Sequence, residues 1–441
     1  MNGFIKEAKR VAEFAPGIPA SREISSINIP KGFTRLVVQK HSAKRAGDHL
    51  DLRIQSGSKA YSWALRDWPK KHGEQVFARR VEDHSSQYLD FQGVIPEGYG
   101  AGTVSQFINE TIDIIYANDD KIKFVIPNIG EFAIIHTSDL DWLLVKMNKV
   151  VGPISSKEDY KEQLIKSIDI NDGSTVLQPK IDGAHSIITL APGKMNRVFS
   201  YRISAKTGDP VEHTHQMKNI RDAKVPPGLG GTVLRAEVFA RKNGRALPPQ
   251  NVSGLLNSGI IKSRTEQEES STTLVPVLFD ITKYRGHDVT QKPYEERLDL
   301  LKQISKQVKV LEMPDLAYTP KEKKSLIQRI RSGRHPDTSE GVIAWNLQEP
   351  VTTKSKLKKE FDVYIKKITK GLRGFSYSIK PHDGTAGRVG TGFSTSEYNN
   401  MQKHPEKYIG NVARVIAQQQ FPSGALRGPS YQTMHVEKNI K

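Results

Sequence analysis

From Arg35 to Val150 the chain breaks into short segments, RLVVQK, HLDLRI, AYSWAL, GTVSQF, TIDIIYA, KIKFVI, FAIIHT and WLLVKM, and in several of them apolar and polar residues alternate. A period of two places successive side chains on opposite faces of a strand. The pattern therefore predicts a compact, mainly β domain with a partly solvated sheet, and favours it over a Rossmann unit. In HLDLR the residues His49, Asp51 and Arg53 occupy alternate positions and share one face.

The rest of the chain divides by composition and spacing. Residues 1–30 form an N-terminal extension, a short helix IKEAKRVAEF and a connector rich in proline and glycine, and residues 31–150 form the β domain. VGPISSKEDYKEQLIKS predicts a turn and a linker helix over 151–171. A second domain, 172–370, holds strands around VLQPK, SIITL, TVLRAEVFA, TLVPVLFDIT, GVIAW and DVYIKKI, with helices at EERLDLLKQISKQV and KEKKSLIQRIRSG. Residues 371–441 predict a small β barrel.

Composition narrows the partners. A formal charge of +18 points to a polyanion, and nucleic acid is favoured over membrane because no apolar run approaches spanning length. With no cysteine, disulfides and thiolate metal sites are excluded, so a metal must use His, Asp, Glu or water. The first residues carry no secretory signal, and the expectation is an intracellular monomer of the cytoplasm or nucleoid.

In VLQPKIDGAHSIITL, Lys180 stands two residues before Asp182-Gly183, at a turn between two hydrophobic runs. Taken alone it is either a nucleophile at a pocket wall or a surface lysine beside a hairpin turn. It is followed by Glu237 in VLRAEVFA, Asp280 in VLFDIT, Glu340 in SEGVIAW and Lys366-Lys367 in DVYIKKI. Transfer from a phosphoanhydride needs cations for developing oxygen charge, acids for a divalent metal and a positioned nucleophile, and this series supplies all three.

In that order the segments resemble the nucleotidyltransferase motifs of ATP-dependent DNA ligases, and ALRGPSYQTMHVEK resembles the end of the ligase oligonucleotide-binding domain. The resemblance implies a multidomain α+β protein with an ATP-grasp-like nucleotidyltransferase domain and a C-terminal OB-fold barrel. It implies that Lys180 takes AMP from ATP with magnesium present, manganese being able to substitute, and passes it to nicked or broken duplex DNA. Lys366 and Lys367 would be catalytic. Asp182, Gly183, Phe279 and Val342 would join Glu237 and Glu340 around the nucleotide, the two glutamates also holding metal. The chain departs from the family in having His185 where an arginine is usual, Trp345 where a lysine is frequent, and His435-Val436-Glu437-Lys438 at the terminal motif. Residues 351–370, with seven lysines and two acids, are read as a contact to the DNA backbone.

The first domain adds QKHSAKRAGDHLDLRI and RRVEDHSSQYLDFQGVIPEGYGAG. His41 and His84 could complete a nitrogen/oxygen metal site with His49 and Asp51, and Tyr88 lies close to His84 in sequence. These strings, closing with WLLVK, resemble the phosphoesterase domain of multifunctional bacterial end-joining ligases, which trims 3′ ends. The resemblance implies that His41, His49, Asp51 and His84 hold manganese or zinc while Arg53 and Tyr88 bind phosphate. Eight positions separate His41 from His49, more than is usual in the family, which predicts a His41 displaced from the metal. An RNA ligase or capping-type enzyme would share the lysine chemistry and leave the first domain unexplained, and a noncatalytic DNA-end scaffold would leave the lysine series unexplained; for the first domain alone the competing reading is a DNA-binding module that keeps the fold with weak or no nuclease activity. No polymerase or primase segment is visible.

Overall fold

The computed structural model describes residues 24–98, 100–154, 161–164, 168–338, 340–349, 352–421 and 423–435, so the helix expected within residues 1–30 and the end of the terminal motif after His435 fall outside the described residues. Its contacts separate two units. The first takes in the chain through Val151 together with Asn257–Glu266, and the second takes in Gly152–Leu256 and the chain from Gln267 onward.

Among the described residues, nine strands build the first unit: β1 (Gly32–Ala43), β2 (Gly47–Ser56), β3 (Lys59–Leu65), β4 (Gln75–Ser85), β5 (Gly93–Ile95), β6 (Gly102–Ala117), β7 (Lys121–Ile126), β8 (Gly130–Ser138) and β9 (Asp141–Lys146). They pair in the order β1-β2-β3-β4-β9-β8-β7-β6-β5, and a further pairing of β1 with β6 closes the sheet into a barrel. The alternation read in the sequence explains the inside. Leu50, Leu52 and Ile54 of β2 point into a core with Trp63, Phe124 and Phe132, each such leucine contributing about 2 kcal/mol. The intervening Asp51 and Arg53 consequently point to the other face. There a short helical turn, Ser86–Asp90, lays Leu89 against Val37 and Ala60. The helix Ile260–Glu269 contributes Arg264 to this unit, its guanidinium 2.6 Å from the buried Asp113 carboxylate and 4.2 Å over the Phe33 ring.

Among the described residues the second unit contains three sheets. A four-stranded sheet, in the order β10-β20-β19-β11, combines β10 (Lys161–Leu164) and β11 (Thr175–Pro179) with the later β19 (Gly341–Asn346) and β20 (Thr352–Lys356). The second sheet consists of β12 (Ala184–Thr189), β13 (Arg197–Ile203), β14 (Pro210–Glu212), β15 (Val233–Lys242), β16 (Arg245–Ala246), β17 (Thr273–Tyr284) and β18 (His287–Asp288). The third pairs β21 (Lys359–Ile368), β22 (Phe375–Ser378), β23 (Gly387–Val389), β24 (Val412–Ala417) and β25 (Ser430–Met434). Helices Tyr294–Gln307 and Pro320–Arg331 form where helical spacing predicts them, burying Leu298, Leu301 and Ile304 on one and Leu326, Ile327 and Ile330 on the other. Among the described residues no helix is long and apolar enough to cross a membrane.

Three expectations change. The two strands flanking KIDG are not partners in a hairpin: β11 and β12 belong to different sheets, so Lys180–Gly183 is the crossing between them. Within the segment read as a linker helix, Lys161–Leu164 is a strand running parallel to β20, where backbone pairing overrides the helix-favouring residues. Finally β21, read as the last strand of the second domain, pairs with β22 and β24 of the terminal sheet, so that sheet begins before residue 371.

Candidate active sites

In the first unit, the site is a product of hairpin register. β1 and β2 are joined by the three residues Lys44–Ala46, and Gly47 closes the turn at a φ of 72°, in the left-handed region that favours glycine. Pairing from Ala43↔Gly47 inward makes His41 and His49 direct cross-strand partners, their ring centroids 4.8 Å apart. The expected displacement of His41 does not occur, because the loop absorbs the eight-residue spacing. One donor atom from each of His41, His49 and Asp51 lies within 4.8 Å of the others. His41 Nδ1 is 3.4 Å from the Asp51 carboxylate and His49 Nε2 is 3.6 Å from it.

Two imidazoles and a carboxylate form a donor set suited to a divalent transition metal. Burial opposes ionisation of Asp51, but Arg53, His49 and His41 together outweigh it and hold the carboxyl well below its usual range. Arg53 is buried with one end of its guanidinium accepted by Gln39 Oε1 at 2.5 Å and the other 3.4 Å from Asp51, and it lies 4.7 Å over the Tyr88 ring. Gln39 also donates to the carbonyls of Tyr88 and Phe91 at 3.2 and 2.8 Å, so one amide fixes Arg53 against the turn that carries Tyr88. His84 falls outside the metal-type trio: its Nδ1 is 3.1 Å from Ser62 Oγ, and its ring leans on Tyr88 at 4.9 Å.

In the second unit a cleft opens where the crossing KIDG leaves one sheet for the other, with Lys180, Glu237, His185, Phe279, Ile343 and Lys354 among its walls. Lys180 is no surface lysine. Its side chain is 16% exposed, and Nζ donates to Glu340 Oε2 at 2.5 Å. Its backbone is held on both sides, N–H to Gly341 O at 2.9 Å and carbonyl from Thr338 Oγ1 at 2.5 Å, while the same hydroxyl accepts from the Glu340 N–H at 2.9 Å.

Gly183 is required by close approach. A Cβ there would stand 2.2 Å from the Val238 carbonyl oxygen, and the glycine N–H donates to Glu237 Oε1 at 3.2 Å. Burial pushes the Glu237 carboxyl up to about 7, with Lys180 opposing that rise. Asp182 turns the other way and accepts a two-pronged contact from Arg427, one prong at 2.8 Å, linking the crossing to the chain segment before β25.

His185 replaces a cation with a ring. It is the cross-strand partner of Glu237, and burial, then Arg235, Lys354 and Arg202, hold its imidazole down at about 3, so it is neutral. Phe279 is half-buried on the cleft wall.

Other expected residues stand elsewhere. Val342 is fully buried in a separate small core with Leu177 and Leu326; its neighbour Ile343, on the opposite face of β19, lines the cleft. Lys366 donates to the Pro381 carbonyl at 3.0 Å and Lys367 is exposed, both on the terminal sheet rather than on the cleft wall. The cation missed in the sequence is Lys354, cross-strand from Ile343 on β20. The signal was available: a strand following SEGVIAW after a short turn must pair back on it, which places alternate residues of TTKSK beside the glutamate motif.

Comparison with known proteins follows this division. Residues 39–121 match the model of the DNA Ligase D 3′-phosphoesterase domain, and residues 157–359 match that of the ATP dependent DNA ligase domain. Over 410 residues the chain is 24% identical to the multifunctional non-homologous end joining protein LigD of Mycolicibacterium smegmatis, covering 83% of this chain and 49% of that protein. The protein of the same name from Pseudomonas aeruginosa is 43% identical over 75 residues, 17% of this chain and 9% of its own length. The chain thus spans at most about half the length of these relatives. Among solved structures, mycobacterial DNA ligase D complexed with ATP and MES aligns at a TM-score of 0.34 and 18% identity over 66% of this chain and 96% of that one.

Proposed function

We propose that the chain is an ATP dependent DNA ligase with a 3′-phosphoesterase domain of the DNA ligase D type, a reading supported by the matches over residues 157–359 and 39–121, and that it trims 3′ ends and seals breaks in duplex DNA through a Lys180–AMP intermediate. The observation that carries the reading is the cleft itself, in which a lysine whose backbone is held on both sides brings its amine between the buried Glu340, the half-buried Glu237 and an aromatic wall.

Lys180 Nζ attacks the α phosphate of ATP, forming a nitrogen–phosphorus bond as pyrophosphate leaves. AMP then passes to a 5′ phosphate at the break, and the neighbouring 3′ hydroxyl displaces it. Glu340 holds the amine in the cleft, Lys354 faces developing phosphate charge, and Phe279 offers its ring to the adenine. Glu237 and Glu340 are the acids suited to magnesium, which when bound neutralises phosphate oxygens. The terminal sheet is the OB-fold barrel of the ligase, and its Arg427 docks on the nucleophile's loop.

In the first unit His41, His49 and Asp51 would hold manganese or zinc, which supplies Lewis-acid activation of the 3′ phosphate. Arg53 and Tyr88 orient that phosphate, and His84 stands beside them to exchange a proton. The +18 charge serves the DNA backbone without sequence preference. The test is incubation with magnesium and labelled ATP, where a covalent label on the wild-type protein, stable to alkali and labile to acid as a nitrogen–phosphorus bond is, is expected to vanish in Lys180→Ala. Because that change leaves the buried Glu340 without its cation, Lys180→Ala/Glu340→Gln serves as the folding control. Labelling that survives in Lys180→Ala would sink the assignment, and preferential sealing of nicked RNA over nicked DNA would favour the RNA ligase.

A further inference from the structure

Five rings run in continuous contact from the cleft wall into the core of the second unit. Tyr201 lies face to face with His185 at 3.9 Å and 4°. His185 meets Phe279 edge-on at 5.0 Å and 68°, and Phe279 stacks on Trp345 at 6.2 Å and 28°. Trp345 in turn lies flat on Tyr294 at 4.3 Å and 10°. His185 and Phe279 line the cleft, whereas Trp345 and Tyr294 are buried behind it.

The last ring ties the two walls together. The Tyr294 hydroxyl donates to the Phe279 carbonyl at 2.7 Å and accepts from Gln178 Nε2 at 2.7 Å. Gln178 stands two residues before Lys180 on β11, so one buried tyrosine spaces the strand that carries the aromatic wall from the strand that delivers the nucleophile. Trp345 sits between that tyrosine and Phe279 with its indole Nε1 buried and, among the described residues, without a hydrogen-bond partner. A phenylalanine or leucine would leave no such unsatisfied atom. What tryptophan offers here is the larger flat area that keeps Phe279 and Tyr294 in register.

We propose that Trp345 is a positioning residue for the purine of ATP, acting through Phe279: it fixes the plane on which the base stacks. The proposal rests on the ligase reading of the cleft. It assigns base binding to a π face set from behind, with His185 bounding one edge, and makes it separable from the recognition of the phosphates.

The experiment compares Trp345→Leu, Trp345→Phe and wild type in Lys180 labelling at varied ATP, with inorganic tripolyphosphate as a competitor that has no base. Losing the ring is expected to raise KM for ATP about tenfold, the scale of one base–aromatic stack. kcat should stay within about twofold and inhibition by tripolyphosphate should not change, since neither depends on the base. Trp345→Phe, which keeps a ring, should recover most of the loss. An unchanged KM in Trp345→Leu, an equal weakening of ATP and tripolyphosphate, or a Trp345→Phe as impaired as Trp345→Leu would each overturn the proposal. Should Trp345→Leu fail to fold, Tyr294→Phe removes the hydroxyl tie while keeping the stack, and a KM for ATP unmoved there also overturns it. Wild-type protein that takes no AMP on Lys180 would instead overturn the ligase reading itself.

Discussion

The trio on β1 and β2 and the cleft around Lys180 are assembled in opposite ways. The first comes from one hairpin, in which pairing alone brings His41 opposite His49 and leaves Asp51 on the same face. The second draws Lys180, Glu237, Phe279, Glu340 and Lys354 from two sheets and depends on backbones passing in van der Waals contact at Gly183. A hairpin site tolerates extra residues in its loop because register is counted from the turn inward. A site assembled across sheets tolerates little change at the points of closest approach.

The largest expected effect tests whether the two sites are independent. His49→Ala should reduce metal-dependent removal of a 3′-end block by about a hundredfold or more, while labelling of Lys180 stays within about twofold. Lys180→Ala should do the reverse. An end-processing assay on blocked nicked DNA, run beside the AMP-labelling assay on the same preparations, checks both, and a His49→Ala that loses both activities breaks the comparison.

Next comes Gly183→Ala, which forces a methyl into the Val238 carbonyl and should cost about 3 kcal/mol along with most of the labelling. Denaturant unfolding measures it, and a loss under about 1 kcal/mol would show that the crossing yields.

Glu237→Gln separates burial from chemistry. With a folded value of about 7 against an ordinary 4.5, the wild-type carboxyl binds its proton more tightly when folded, so its contribution to stability is full below about 4.5 and is lost as pH rises through 7. Without added metal, Glu237→Gln should therefore be the more stable protein at pH 8, by on the order of 2 kcal/mol, with the gap closing toward pH 5. Thermal melts across that range give the sign, and a gap that widens on acidification contradicts it.

The smallest effect belongs to the hairpin. Gly47→Ala meets nothing within 4 Å and pays only for its positive φ, about 1 kcal/mol. End processing should survive it, and its loss would mean that the register is less robust than the pairing implies.

What could be read in advance follows the same division. The period of two in HLDLR gave the face of Asp51 and Arg53 directly, because a strand's alternation is a local property. The spacing of His41 from His49 misled because sequence distance ignores the fold-back of a hairpin. KIDG, RAEVFA and SEGVIAW marked the lysine and its two glutamates, yet strand pattern carries no label for which sheet a strand joins. Hence Lys366 and Lys367, in a convincing strand, lie on the terminal sheet, while Lys354, in an unremarkable run of lysines and threonines, reaches the cleft. Val342 and Ile343 show the same limit at the scale of one residue, since both faces of β19 are apolar and only the neighbours tell them apart.

The Arg264–Asp113 pair has a bearing on how the chain matures. As the protein leaves the ribosome, the barrel strand bearing Asp113 emerges early, but its buried guanidinium partner arrives only after the nucleophile's crossing and the Glu237 strand have been translated. The barrel can close before then, but it cannot complete its pairing with Arg264, so its final consolidation waits on synthesis of a segment that lies in the middle of the second unit's sequence. A proteolytic fragment ending at Val151 would retain the His41, His49 and Asp51 trio and still lack the guanidinium that Asp113 meets in the intact chain.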